Sequence, residues 1–84
     1  MNKSFTISEV ITARINKLLA ERKWTLYKLA QESGVLYGTL KNIASSQNKG
    51  LNFGTVAQIA NGFGMTISEF TADPVFNWNN FKAN

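Results

Sequence analysis

The sequence predicts an all-α fold of five short helices, and three observations carry this prediction. Apolar residues recur with the helical period in successive segments, polar capping residues precede these segments, and glycines follow several of them. No segment shows the regular alternation of apolar and polar residues that is typical of a half-buried strand. With 84 residues, of which 44% are hydrophobic and 17% are charged, the chain is expected to form one domain over residues 1–84.

The first predicted helix runs from Ser8 to Lys23. Thr6 precedes this helix and Glu9 lies in its first turn. The two residues have the spacing of a capping box, in which each side chain bonds the backbone N–H of the other residue. One stripe of the helix is apolar, with residues at i, i+4, i+7 and i+8, which are Ile11, Ile15, Leu18 and Leu19. We expect this stripe to face the core.

Two short helices follow, separated by a tight turn. Thr25 is the expected N-cap of the second helix, which ends at Ser33–Gly34 because glycine adopts the left-handed conformation of a helix exit. The third helix is expected to begin at Leu36 or Tyr37 and to end near Ser45. The residues expected to point inward from this pair are Leu26, Leu29, Ala30, Leu40, Ile43 and Ala44.

The last two helices follow a polar loop over residues 45–52. Asn52 is expected to cap the fourth helix, and Gly62 and Gly64 are expected to terminate it. A second capping-box pair opens a short fifth helix that Asp73–Pro74 stops, because proline disfavours helix in the residue before it. The capping-box pair is Thr66 and Glu69. The residues expected to point inward are Val56, Ile59, Ala60 and Phe63 in the fourth helix, and Ile67 and Phe70 in the fifth.

The predicted core spans about residues 6–73, and an aromatic tail follows over residues 74–84. We expect Phe76 to pack on the core of its own chain, as a small domain needs a complete core. For Trp78 and Phe81 two interpretations stay open, namely packing on the same core or contact with a second copy of the chain.

Composition excludes several classes of function. The chain has no cysteine and no histidine, which removes disulfides, thiolate chemistry, the commonest zinc ligand and the usual general base near neutral pH. No nucleophile elbow, glycine-rich phosphate loop or close carboxylate pair is present. We therefore expect a protein that is not an enzyme and has no cofactor and no metal. No long apolar run indicates a membrane segment or signal peptide, so the expected location is the cytoplasm.

The net charge of +4 is distributed unevenly. Residues 1–50 carry eight basic and three acidic side chains, whereas residues 51–84 carry one basic and two acidic side chains. A basic first half favours a face that binds a polyanion, although a solvated basic surface explains the same count.

Residues 25–45 have the pattern of two short helices joined at a fixed angle. Ala30 is small where the next helix crosses closely, Gly34 makes the turn, and Val35 and Leu40 are apolar residues that hold the crossing. Such a helix-turn-helix pair can present its second helix to the major groove of DNA.

Over residues 10–73 the chain resembles the lambda repressor/Cro-type helix-turn-helix domains, also called the XRE family. The resemblance is carried by residues 14–26, 28–35 and 39–43, and above all by TVAQIANGFGMTISEF at 55–70. The final helices and the Asp-Pro-Val-Phe that follows them look like the compact stand-alone regulators of Gram-positive bacteria and their mobile elements. The resemblance implies a five-helix lambda-repressor-like domain that binds double-stranded DNA as a sequence-specific transcriptional regulator, a repressor more readily than an activator, associated with the nucleoid when bound.

The resemblance also implies a set of DNA-contacting residues. The third helix is the recognition helix, whose candidates for base contact are Tyr37, Gly38, Lys41, Asn42 and Ser45. Asn42 can pair with adenine, Lys41 can reach guanine or a phosphate, and Tyr37 can contact a thymine methyl or a phosphate. The candidates for phosphate contact are Thr25, Lys28, Thr39, Ser46, Asn48, Lys49 and Asn52.

Two positions depart from the family pattern. Leu26 stands where the family often has a polar residue, commonly glutamine, that helps to hold a phosphate. Leu36-Tyr37-Gly38 stands where the family often has Pro-Gln-Ser or a similar sequence. These departures keep open a second interpretation, in which the chain is a protein-interaction module such as an antitoxin or a phage control protein with weak or no DNA binding. Both interpretations, the DNA-binding regulator and the protein-interaction module, are compatible with a homodimer and with a protein partner.

Overall fold

The computed structural model describes residues 5–45 and 51–77. These residues form five α-helices and one 3₁₀ turn, so the predicted all-α fold is confirmed. The elements are α1 (Ile7–Arg22), α2 (Leu26–Ser33), α3 (Tyr37–Ala44), α4 (Phe53–Gly62), α5 (Ile67–Phe70) and the 3₁₀ turn (Pro74–Phe76). In this part of the chain no helix combines the length and the apolar character needed to cross a membrane. Trp78 and Phe81 lie outside the described residues.

Local capping decides where most of the helices begin. At α1 the Glu9 N–H donates to the Thr6 hydroxyl over 3.2 Å, and the Thr6 N–H donates to the Glu9 carboxylate over 2.8 Å. Thr66 and Glu69 form the same capping box at α5. Because the first N–H groups of a helix have no partner inside it, these bonds fix the residue at which the helix begins. The four N-caps predicted from the sequence are all present, namely Thr6, Thr25, Asn52 and Thr66.

The end of α1 lies one residue before the predicted position, because Lys23 leaves the helical conformation. Its φ of 57° and ψ of 41° place it in the left-handed region. The Lys23 N–H donates to the Ala20 carbonyl over 3.3 Å, and the Trp24 N–H donates to the Leu19 carbonyl over 2.9 Å. These two bonds form the Schellman termination, which glycine makes with less strain than lysine.

The predicted inward stripes meet in one hydrophobic core. Partly buried aromatic residues close its edges, and the Trp24 ring stacks on Phe63 with ring centres 5.5 Å apart. Phe76 packs against the core beside Phe70, which agrees with the expectation for this residue. The buried residues of the core are Ile11, Ile15, Leu18, Leu29, Val35, Leu40, Ile43, Ile59, Ala60, Phe63 and Phe70.

Close backbone contact between α2 and α4 depends on a glycine whose role the sequence did not indicate. Gly62 is the last residue of α4, and a Cβ added to it would lie 2.6 Å from the Ser33 Cβ and 2.8 Å from the Ser33 Cα. The helix ends at Gly62, as expected, and this glycine also permits the close contact with α2. Gly64, with a φ of 74°, is the glycine that adopts the left-handed conformation after α4.

Two polar side chains of α1 hold distant elements in place. The Thr12 hydroxyl, which is buried, donates to the Ile43 carbonyl near the end of α3. Arg14, also buried, donates to the Phe70 carbonyl over 2.7 Å and to the Glu69 carbonyl over 3.1 Å at the end of α5. Because buried donors must be paired to be stable, these bonds fix α3 and α5 against α1.

Asp73 connects the segment after α5 to α1. Its carboxylate accepts from Lys17 over 2.7 Å and from Arg14 over 3.2 Å, and it also accepts from the Val75 N–H over 2.9 Å. The hydrogen bond from Lys17, followed by the bond from Val75 and the charge of Arg14, holds the pKa of Asp73 below its usual value. Asp73 was expected only to stop α5, which in fact ends at Phe70. Asp73 instead caps the following 3₁₀ turn.

Candidate nucleic-acid interface

The third helix presents one buried and one exposed face. Leu40 and Ile43 are fully buried, which fixes the rotation of α3 on the core. The opposite face borders an open concavity that we call the α3 depression, lined by Leu36, Tyr37, Gly38, Thr39, Lys41 and Asn42. Four of the five residues expected to contact bases therefore share one surface. The fifth, Ser45, follows α3 and donates its hydroxyl to the Asn42 carbonyl over 3.0 Å.

Aromatic contacts fix the side chain of Tyr37 at this surface. Its ring meets Tyr27 of α2 edge to face, with ring centres 6.2 Å apart. On α3 itself, the Lys41 Nζ lies 5.7 Å from the centre of the Tyr37 ring. Rings and ammonium groups attract in this geometry, so Tyr37 is held between the start of α2 and the middle of α3.

The start of α2 carries two of the residues expected to contact phosphate. The Thr25 hydroxyl accepts from the Lys28 N–H over 3.0 Å as the N-cap, and the hydroxyl proton stays available as a donor. Lys28 pairs with Glu32 over 3.0 Å, and both side chains are nearly half exposed. An exposed pair of this kind contributes about 0–1 kcal/mol, so a phosphate can compete for Lys28 at small cost.

The other residues expected to contact phosphate are distributed less compactly. Thr39 lines the α3 depression. Asn52 caps α4, accepting from the Thr55 N–H over 2.8 Å, and it borders a different concavity beside α1 and α5. Ser46, Asn48 and Lys49 lie outside the described residues.

Several basic side chains of the first half of the chain bond other groups of the fold. Arg14 and Lys17 bond Asp73. Arg22 donates to the Phe63 carbonyl, and its guanidinium lies 5.4 Å from the centre of the Trp24 ring. The sequence count therefore overstates the positive charge near α3. Between Ser33 and Ser45 the chain nevertheless has one lysine and no acidic residue, so this surface is compatible with a polyanion.

The two departures from the family pattern have different structural contexts. Leu26 is half-buried and packs against the core, so its apolar side chain belongs to the interior. Leu36 occupies the N-cap position of α3, makes no capping bond, and is 76% exposed at the rim of the α3 depression. Sequence reasoning missed Leu36 as a member of this surface and Tyr27 as the α2 residue that contacts it through Tyr37. Leu36 resembles a core residue because it adjoins the buried Val35, and the contact of Tyr27 depends on how α2 and α3 cross.

The described residues contain no group of three or more acidic side chains that could hold a metal ion, and the chain has no histidine or cysteine. The site consists instead of amide, ammonium, hydroxyl and aromatic groups on an exposed helix. These groups can bind base edges and phosphates.

Comparison with known families gives one match. The model described as a Cro/C1-type helix-turn-helix DNA-binding domain matches residues 14–73, which is more than half of the chain. The match includes α2, the turn at Gly34 and α3. No curated protein and no solved structure matches significantly.

Proposed function

Because the chain belongs to the Cro/C1-type helix-turn-helix family of DNA-binding domains, we propose that it is a sequence-specific transcriptional regulator, and more specifically a repressor, whose α3 enters the major groove. The observation that carries this proposal is the shared surface of Tyr37, Lys41 and Asn42 around the α3 depression. Such a regulator acts by occupying its site and needs no catalytic group. It works in the cytoplasm, on the nucleoid.

Each group in the α3 depression has a chemically defined role in this proposal. Asn42 reads adenine through its amide, and Lys41 reaches guanine acceptors or a phosphate. Gly38 lets the backbone approach the DNA closely. Around this centre the candidates for phosphate contact fix the orientation of the domain on the duplex. They are Thr25, Lys28, Thr39, Ser46, Asn48, Lys49 and Asn52, and Ser45 remains a candidate for base contact.

The test starts from a pool of random duplexes. The chain should select a defined site, and its affinity for that site should fall about a hundredfold between about 50 and 200 mM salt if about four phosphates are contacted. Lys41→Ala and Asn42→Ala should each weaken specific binding by about 5- to 150-fold, whereas the melting temperature should hardly change. Lys17→Ala is the matched control, because it removes the same charge from a lysine that bonds Asp73.

The alternative function, binding of a protein partner, is favoured by a second surface. A concavity of about 390 Å³ is lined largely by apolar side chains, including Ile7, Val56, Ile67 and Phe76. Phe53 at its edge is 73% exposed. Exposed apolar surface of this kind is typical of contacts with another chain, either a second copy in a homodimer or an unrelated protein.

Two measurements separate the alternatives. A chain that shows no salt-sensitive binding to any duplex but forms a stable complex through Phe53 is a protein-interaction module. Sedimentation of the wild type and of Phe53→Ser measures self-association directly. A homodimer on DNA should select two half-sites about one helical turn apart.

A further inference from the structure

Three exposed hydrophobic residues lie together where α2 and α3 begin. They are Tyr27, Leu36 and Tyr37, and they form one patch because the two tyrosine rings are in contact and Leu36 adjoins Tyr37 along the chain. Leu36 is the most exposed large hydrophobic residue in the described part of the chain. A single exposed leucine needs no explanation, but a cluster at the rim of the α3 depression does.

Neither the core nor the helix needs a leucine at position 36. The neighbouring Val35 and Leu40 are buried and supply the apolar contacts of this segment. The N-cap position of a helix favours serine, threonine, aspartate or asparagine, whose side chains bond the first N–H groups. Leu36 makes no such bond, so α3 begins without the side-chain cap that each of the other four α-helices has.

The surroundings of Leu36 indicate what it contacts. It shares the α3 depression with Lys41 and Asn42, whose ammonium and amide groups suit base edges. The Tyr37 ring next to it is held by Tyr27 and Lys41. The depression thus combines a polar part with an apolar rim of fixed shape.

One group on the major-groove edge of the unmodified base pairs is apolar, the C5-methyl of thymine. We infer that Leu36 and Tyr37 together form an apolar contact for this methyl group, so that the chain prefers a thymine at a defined position next to the bases that Lys41 and Asn42 read. The inference rests on the proposed function, since it needs α3 in the major groove. It makes Leu36 a specificity-determining residue.

The experiment removes one methyl group at a time. In the duplex site selected by the wild-type chain, each thymine is replaced singly by deoxyuridine, which deletes the C5-methyl and keeps the base pairing. Replacement at one position in each half-site should weaken wild-type binding about three- to tenfold, as expected for the loss of one well-buried methyl group. Leu36→Ala should bind the thymine site with a similar loss and should no longer distinguish deoxyuridine from thymine there.

A conservative variant provides the control. Leu36→Met keeps an apolar side chain of similar volume and should keep the discrimination, and thermal melts should show that both variants are as stable as the wild type because the residue is exposed. The inference is overturned if binding is specific and salt-sensitive but no single replacement of thymine by deoxyuridine weakens it. It is also overturned if Leu36→Ala distinguishes thymine from deoxyuridine as well as the wild type does. Either result leaves the proposed function standing. If no duplex is selected and no salt-sensitive binding occurs, both are overturned.

Discussion

Arg14 donates from its Nε to the backbone carbonyl of Phe70 over 2.7 Å, and this bond joins the middle of α1 to the last residue of α5. The same guanidinium donates to the Glu69 carbonyl over 3.1 Å and to Asp73 over 3.2 Å. A four-residue helix is not stable by itself, and its last carbonyls have no partner inside it. Arg14 supplies donors to these carbonyls and thereby holds the C-terminal part of the domain on α1.

Replacing Arg14 should therefore destabilise the whole domain. Arg14→Met keeps much of the side-chain volume but leaves two carbonyls and Asp73 without this donor, and we expect the free energy of unfolding to fall by about 2–4 kcal/mol. Urea unfolding followed by circular dichroism measures this loss. Lys17→Met removes another partner of Asp73 from a side chain that is 53% exposed, and its loss should stay below about 1 kcal/mol. Equal losses for the two variants would contradict this account of Arg14.

Acid should weaken the domain through Asp73. The bonds from Lys17 and Val75 and the charge of Arg14 lower the pKa of Asp73 in the folded chain, whereas the unfolded chain has the ordinary value of about 3.8. Asp73 therefore stabilises the fold fully above about pH 4–5, and this contribution is lost as the pH falls through the folded pKa.

The variant Asp73→Asn isolates this effect from the titration of the other carboxylates. The difference in unfolding free energy between wild type and variant should be constant from about pH 5 to pH 7 and should shrink steadily towards pH 2. Thermal or urea unfolding at a series of pH values measures it. A difference that stays constant down to pH 2 would show that the carboxylate charge does not contribute.

These two predictions concern interactions that the sequence did not reveal. The capping boxes of Thr6 and Thr66 could be predicted because both partners lie within three residues of each other. Arg14 was counted only as a basic residue, since its partners lie more than 50 residues away along the chain. The contact of Gly62 with Ser33 was missed because these two residues are also distant along the chain, at a separation of 29 residues.

At the candidate site, too, the features with a local sequence signal could be predicted and the others could not. Periodicity predicts that Leu40 and Ile43 face the core, and the structure confirms that both are buried. With α3 in this rotation, Lys41 and Asn42 line the α3 depression. The apolar rim could not be predicted, because a leucine beside the buried Val35 resembles a core residue in sequence. The contact between Tyr27 and Tyr37 depends on the crossing of two helices, for which the sequence has no local signal.

The left-handed conformation of Lys23 predicts a stabilising substitution. Lys23→Gly removes the clash of the Cβ at a φ of 57° and should raise the free energy of unfolding by about 0.5–1 kcal/mol. Lys23→Ala removes the same charge but keeps a Cβ, so it should give no such gain. Chemical unfolding of the three chains provides the comparison, and an equal gain for alanine would assign the effect to charge.

The close approach of α2 and α4 predicts a destabilising substitution at Gly62. The added methyl of Gly62→Ala would lie 2.6 Å from the Ser33 Cβ and 2.8 Å from its Cα, so the two helices must move apart. We expect a net loss of about 1–3 kcal/mol in unfolding free energy, even though alanine favours the helix. Urea unfolding measures the loss, and an unchanged stability would mean that α2 and α4 can separate without loss of packing.

The same substitution at Gly38 should separate stability from DNA binding. Gly38 lies in the first turn of α3, and an added Cβ would have no atom within 4 Å, so Gly38→Ala should raise the free energy of unfolding by about 0.5–1 kcal/mol. Gly38 also lines the α3 depression, where the added methyl would keep the backbone away from bound DNA. We therefore expect affinity for the selected duplex to fall about three- to thirtyfold, a change of about 0.7–2 kcal/mol.

Unfolding in urea and fluorescence anisotropy with labelled duplex measure the two quantities on the same protein. Opposite changes cannot result from partial unfolding, because a less stable chain would lose both stability and affinity. Higher stability together with unchanged affinity would mean that the DNA does not approach the first turn of α3 closely. In that case Lys41 and Asn42, one turn further along the helix, would have to account for base contact without Tyr37 or Leu36.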